Sequence, residues 1–396
     1  MTSMFPTTLG GMRPNGIGNR PEDRRGRVRV RSGTSLMRGS RTVGCPPTAC
    51  YAPAAMPPTP TLADQVSRLY DLVAGYHATH MLEIARELGI WEALAKDPGL
   101  ASGKLAERLG TDPFYTDVLC RTAFSFGLLE RDGDGWRMAP HFDQILGSPD
   151  SSFYLACAPR VHMVLGDDYR DYVGHFRAGT QRPYQEHGER FMREVAEALK
   201  TLPRIFLDLV LPNLPGLNAR LADGARVLDV GCGGGWGVVQ IAERFPRTAC
   251  VGIDLEPYSV ELARRLIAER GLEGRCEARV QSAGELGEDG TYDVATSFLV
   301  VHEIAPETKA GAFSAVARAL KPGGYFLIFD ETYPETDEAL RTMPSRFAAM
   351  AQWYELTWGN IVGTRSELHA LCREAGLEVV EETTFSRFSI LVAAKP

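Results

Sequence analysis

The sequence predicts an α/β protein: a mostly parallel sheet flanked by helices, preceded by a mostly helical region and ending in an antiparallel hairpin. Three observations predict it. Apolar strand-like runs alternate with helical stretches from about Asp223 onward. The first run, Val227-Leu228-Asp229-Val230, breaks into glycines at 231, 233, 234 and 235 and resumes as a helix through Val238–Ala242. Near the far end, Glu378–Glu381 and Phe388–Val392 are joined by a loop too short for a crossover, which forces an antiparallel pair.

Length and composition set the bounds. With 396 residues, 44% apolar and 23% charged, the chain has room for two packed cores. No run of eighteen apolar residues occurs, so no membrane partner is expected. The eight cysteines are scattered, without C-x-x-C or zinc spacing, which fits a reducing cytoplasmic setting with neither disulfide framework nor metal. Residues 1–60 hold nine Arg, no Lys, two acids and seventeen Gly or Pro, with no apolar periodicity. We expect a disordered basic extension there, with translation starting at Met56. Its +7 leaves about −14 on residues 61–396, a charge that works against nucleic acid as a partner.

Residues 61–150 read as one unit. Leu62, Val66, Leu69, Tyr70 and Val73 recur at helical spacing, followed by Ala78, Met81, Leu82, Ala85 and Leu88. Ser102 is placed to cap Leu105–Leu109, and Asp112-Pro113 to start a helix over Phe114–Phe126. Leu128–Arg131 and Trp136–Met138 flank Asp132-Gly133-Asp134-Gly135 as a hairpin. Three helices and a hairpin make a winged helix, which raises DNA binding. Against it, the segment holds eight basic and fourteen acidic side chains, and the would-be reading helix offers only Arg121. His77 and His80 stand three apart on a helix with no third ligand near, so we read them as packing or dimer-interface groups.

Residues 151–222 are helical in spacing and rich in aromatics: Phe153, Tyr154, Tyr169, Tyr172, Phe176 and Tyr184. Any one of these is expected to pack between domains. The segment 223–396 then supplies strands at 226–230, 250–254, 277–280, 292–297 and 325–329, with helices between them. Residues 344–360 form a helical insertion bearing Trp353 and Trp358, expected to lid a flat apolar pocket. Thr364-x-x-Glu367 is a capping box for the next helix.

The glycine turn carries the chemistry. Strand, tight turn and helix present backbone N–H groups and a helix N-terminus to a ligand. Nineteen residues after Gly235, Asp254 ends a second apolar strand, where a carboxylate accepts ribose hydroxyls. The position at which a dinucleotide fingerprint needs its third glycine is Trp236, which argues against a pyrophosphate there.

Val227–Gly235 followed by Gly252-Ile253-Asp254-Leu255 resembles motifs I and II of the class I S-adenosylmethionine-dependent methyltransferases. The resemblance implies a Rossmann-like seven-stranded sheet and S-adenosyl-L-methionine as cofactor. It places the cofactor against Asp229, Gly231, Gly233, Gly235, Asp254, Leu255, Ser282, Ala283 and Phe298. Ser282-Ala283 stands where such families commonly have an acid–Ala pair for adenine. The winged helix resembles the dimerisation domain of small-molecule O-methyltransferases and implies a homodimer. His302-Glu303-Ile304 stands where those enzymes have His-Asp-Trp, so the resemblance makes His302 the general base. Glu331 falls where plant-type relatives carry a carboxylate that orients this base, and Asp330 competes with it because only one of two strand neighbours faces the site. The expected function is methyl transfer to a small aromatic or polyketide-like acceptor, with oxygen the leading atom. A non-methylating cyclase or decarboxylase of this fold, and a winged-helix regulator with a cofactor-sensing half, are the rival readings.

Overall fold

The computed structural model describes residues 59–396. The expectations about the N-terminal extension and Met56 lie outside the described residues.

Helix Leu62–Glu87 starts on a capping box between Thr61 and Asp64. It is followed by helices Ile90–Lys96, Ser102–Leu109 and Pro113–Ser125, then by the hairpin β1 (Leu129–Asp132) and β2 (Gly135–Met138). Asp112 caps the fourth helix by accepting from the N–H groups of Phe114 and Tyr115, as its place before Pro113 predicts. Ser102 does not act as a cap. Its hydroxyl donates to Asp117 and accepts from the Trp136 indole N–H, so a buried tertiary partner outcompetes the local role. Trp91, Leu94, Leu105, Ala123 and Trp136 form the core of this region. Leu62, Leu69, Tyr70, Val73 and Tyr76 remain exposed on the first helix, and Phe114, Tyr115 and Val118 on the fourth.

A run of helices from Ala158 to Ala222 leads to the sheet. The sheet has seven strands: β3 (Arg226–Val230), β4 (Ala249–Asp254), β5 (Cys276–Val280), β6 (Tyr292–Phe298), β7 (Leu320–Glu331), β8 (Glu378–Phe385) and β9 (Phe388–Ala394). Their order is β5-β4-β3-β6-β7-β9-β8. The first five run parallel, and β9 is antiparallel to both β7 and β8. The α/β class with five parallel strands and a terminal hairpin is therefore as the sequence predicts.

Both faces are covered, as a parallel sheet requires. Val227, Val294, Leu327 and Val392 pack on one side with Val238, Ile241 and Val260. Leu228, Ala295, Ile328 and Leu391 face the other with Phe313, Val316 and Leu368. This is the strand alternation read one residue at a time. The capping box at Thr364 and Glu367 forms as expected. Among the described residues no helix is long and apolar enough to cross a membrane.

Candidate active site

The C-terminal ends of β3, β4 and β6 open on one cavity of about 920 Å³. After β3 the chain turns at Gly231, with φ +67°, and a side chain there would lie 2.4 Å from the Val300 methyl carbons. Only glycine meets both conditions. Gly237 has a different reason: a Cβ would stand 2.5 Å from Asp229 Oδ2, so its absence lets helix Trp236–Arg244 close over that carboxyl. Asp229 is buried under the turn and accepts from Thr296 Oγ1 at 2.6 Å. Burial, opposed by that hydrogen bond, pushes its carboxyl up to about 7.

Asp254 locks the turn to β4. Its Oδ2 accepts from Gly233 N–H at 2.8 Å and its Oδ1 from Glu256 N–H at 2.9 Å. Burial raises its carboxyl above the ordinary value, against those hydrogen bonds. Asp229, Gly231, Gly233, Asp254, Leu255, Ser282, Ala283 and Phe298 all line the cavity. Gly235 does not. It sits where a Cβ would meet Ala263 at 2.8 Å, so its task is helix packing. The lining fits the cofactor that the resemblance implies. A half-open carboxylate ends β4, and the first turn of the helix, at Trp236 and Gly237, presents unpaired N–H groups.

At the opposite end, β6 runs through Leu299, a non-glycine residue with φ +57°, into the short turn Val301–Glu303. His302 Nδ1 hydrogen-bonds Asp330 Oδ1 at 2.5 Å, and its backbone N–H donates to Asp330 Oδ2 at 3.3 Å. Asp330 therefore orients the ring. Glu331 corrects the expectation: its Oε1 pairs with Arg387 at 3.1 Å, and its buried Oε2 has no partner. Strand alternation sends the two carboxylates apart, and Arg387 draws Glu331 away from His302. His302 Nε2 stands 3.7 Å from Glu355 Oε1, a carboxylate of helix Met343–Glu355. Burial disfavours charge on the ring, but Asp330 and then Glu355 outweigh it and hold the imidazole well above its usual value. Glu303, not His302, lines the cavity. Burial and the Glu355 charge push its carboxyl well above the usual range.

The roof comes from two distant segments. Tyr184 and Trp358 both line the cavity, and their rings meet edge to face at 5.4 Å. A buried knot ties the segments together. Asp168 accepts from Trp358 Nε1 at 3.1 Å and from Arg182 Nη1 at 2.9 Å, and it hydrogen-bonds His187 Nε2 at 2.7 Å. Of the two tryptophans expected in the lid, Trp358 lies there. Trp353 instead packs on Tyr169, Tyr172 and Phe176. His77 and His80 stack on Tyr76, which fits a packing role.

Sequence reasoning missed Glu355, Asp168 and His187. For Glu355 a signal existed: it is the single charged side chain in residues 347–364. A lone charge in an aromatic helix marks a buried partner elsewhere.

Comparison with known proteins agrees with this geometry. Residues 227–324 match the family described as a methyltransferase domain, and residues 70–141 the O-methyltransferase dimerisation domain. Indolepyruvate C-methyltransferase from Streptomyces griseus is 26% identical over 283 residues, covering 68% of this chain and 78% of that protein. A 2-heptyl-1-hydroxyquinolin-4(1H)-one methyltransferase from Mycobacteroides abscessus is 30% identical over 132 residues, 31% of this chain and 57% of that one. Human N-acetylserotonin methyltransferase, solved with S-adenosylmethionine, shares the fold at a TM-score of 0.63 and 19% identity, over 86% of this chain and 99% of that chain. An O-methyltransferase from neocarzinostatin biosynthesis, solved with the cofactor and 2-hydroxy-5-methyl naphthoic acid, does so at 0.54 and 18%, over 81% and 96%. With its glycine turn, its seven-stranded sheet and both matched regions, this chain is a class I S-adenosylmethionine-dependent methyltransferase carrying an O-methyltransferase dimerisation domain.

Proposed function

We propose that the chain methylates a small, flat, oxygen-bearing metabolite held between the glycine turn and the Tyr184–Trp358 roof. The observation that carries this reading is the cavity's polarity. Its middle is walled by Met192, Leu199, Leu202, Phe298, Tyr184 and Trp358, and its end is the carboxylate of Glu303 with His302 behind it. S-adenosylmethionine, when bound, supplies an already activated methyl carbon. The protein then has to hold the acceptor against that carbon, keep water out and ionise the acceptor's hydroxyl or enol. The apolar walls serve the first two needs, and the His302–Glu303 turn, braced by Asp330, serves the third. The relatives' names support this acceptor class: an indolepyruvate, a hydroxyquinolinone and a hydroxynaphthoic acid each join a flat ring to oxygen.

The exposed apolar face of helices Leu62–Glu87 and Pro113–Ser125 supports a homodimer through the matched dimerisation region. A DNA-reading role draws no support, since Arg121 is tied to Asp117 at 2.5 Å.

The test is transfer of labelled methyl from S-adenosylmethionine to a panel of phenols, hydroxyquinolones and aromatic 2-oxo acids, read by product mass. Label in one class is expected. Cofactor binding by calorimetry with no S-adenosylhomocysteine formed from any acceptor would favour the non-methylating reading.

A further inference from the structure

The charged lining of the cavity has one sign. Six carboxyl side chains, Asp229, Asp254, Glu256, Glu285, Glu303 and Glu307, line the space of about 920 Å³, and among the described residues no lysine, arginine or histidine does. Bases do stand beside lining residues in the chain, but they turn to other partners. Arg182, next to Pro183, pairs with Asp168, and Lys200, next to Leu199, pairs with Glu197. Arg204, next to Pro203, donates to the Pro149 carbonyl. Arg193, next to Met192, is exposed. The cavity is a site on other grounds, its glycine turn and the matched methyltransferase region. Its acids decide which charge it admits.

The positive poles of the backbone do not alter this at the acceptor end. The N–H groups opening helix Trp236–Arg244 stand at the glycine turn. The start of helix Pro306–Ala319 also meets the wall, but Glu307 in its first turn offsets that pole. Asp229, Asp254, Glu256 and Glu285 belong to the glycine-turn half, on or just after β3, β4 and β5. A sulfonium cofactor answers part of their charge. Glu303 lies on a different turn, after β6.

Glu303 is the acid left without an answer. Its carboxyl accepts no hydrogen bond among the described residues. Burial, then the charges of Glu355, Asp254 and Asp330 from three other elements, hold its proton on well above the usual range, with His302 opposing them. A further anion brought there meets the same field. At about 7 Å and an effective dielectric of ~20, two like charges cost roughly fiftyfold in affinity. A cation is drawn by the same field.

We propose that the acceptor is a flat hydroxylated ring bearing a basic amine, bound as the ammonium with its charge at Glu303, and that carboxylate-bearing acceptors are refused. The inference rests on the acceptor reading above and deepens it. The ammonium donates the hydrogen bond that Glu303 lacks, and the acceptor hydroxyl stays free to meet the methyl carbon. Of the classes in the labelling panel, aromatic 2-oxo acids are the ones turned away.

The test is a charge series on one ring, read by calorimetry on the full chain saturated with S-adenosylhomocysteine, so that binding is measured without turnover. A naphthol is the neutral member, its aminomethyl derivative the cation and its carboxylate the anion. The amine should bind roughly tenfold or more tighter than the naphthol, and the carboxylate at least as much weaker. Glu303→Gln should erase most of the amine's advantage and leave the naphthol little changed. Gln185→Lys, which adds a base at an exposed lining position, should improve the carboxylate roughly tenfold. It decides alone if Glu303→Gln fails to fold by circular dichroism. A carboxylate that binds as tightly as the amine overturns the proposal and leaves the acceptor reading standing, as does an amine advantage untouched in folded Glu303→Gln. If no member binds while S-adenosylhomocysteine does, the acceptor reading fails and this proposal with it.

Discussion

The two ends of the cavity are built on different principles. The cofactor end is nearly continuous in sequence: β3, its glycine turn, the helix that follows and the carboxylate ending β4. Its defining contacts join backbone N–H groups to Asp254, a short way along the chain. The acceptor end is convergent. His302 follows β6, Asp330 is the penultimate residue of β7, Glu355 ends a helix of the late insertion, and Tyr184 and Asp168 come from before the sheet. On the proposed reading, backbone geometry recognises the invariant molecule, and side chains gathered from afar meet the variable one. Damage at the first end should therefore appear in binding, and damage at the second in rate.

The largest expected effect tests that division directly. His302→Ala should lower kcat by roughly 10²–10⁴-fold, while calorimetric affinity for S-adenosylhomocysteine stays within a factor of a few. Near wild-type turnover would remove the His302 turn from the chemistry. Next, Asp254→Ala should weaken S-adenosylmethionine and S-adenosylhomocysteine alike, by roughly 1.5–3 kcal/mol. The kcat at saturating cofactor should be largely kept, and a collapsed kcat with unchanged affinity would erase the contrast between the ends. Asp168→Asn is milder. It loosens the knot that holds Trp358, so the acceptor KM should rise by about 1 kcal/mol equivalent with cofactor affinity unmoved. A shift in cofactor affinity alone would show that the roof serves the other ligand. The smallest effect is a pH dependence at the cofactor end. Asp229, raised to about 7 by burial, gains charge as pH rises through neutrality. The anion favours a sulfonium over a neutral thioether, so the preference for S-adenosylmethionine over S-adenosylhomocysteine should grow a few-fold between about pH 6 and 8. Asp229→Asn should flatten that slope, and an identical slope in the variant would discard the assignment.

The same contrast explains what the sequence discloses. Strand alternation at Val227-Leu228 assigns each residue to its face, and the distance from Gly235 to Asp254 marks one strand–helix–strand unit. Both are local, so both are legible. Alternation also says that only one of Asp330 and Glu331 faces His302, but not which. The register of β7 on β9, pairing Asp330 with Ser389 and Glu331 with Phe388, and the neighbouring Arg387 decide it. Ser102 looks like a cap because capping is a local pattern, whereas its true partner, Trp136, lies across the fold. Trp353 and Trp358 share one segment and one composition. Only the position of Asp168 sends Trp358 to the cavity. The terminal hairpin is readable, but its insertion with β9 inside β8 is not, because strand order is a property of the whole sheet.

That insertion has a consequence for how the chain is made. β9 is buried along Phe388–Ala393 and bonds to strands on both sides. On the ribosome β3 to β7 emerge with one long flank unpaired, and β8 has nothing to pair with until residues 388–394 follow. The nascent protein thus carries an open, adhesive edge from the emergence of β7 until residues 388–394 follow. We expect a chain stopped at Arg387 to be far more protease-sensitive than its modest loss of length suggests, and to aggregate through that flank. Equal resistance of the truncated and full chains to pulse proteolysis would refute this.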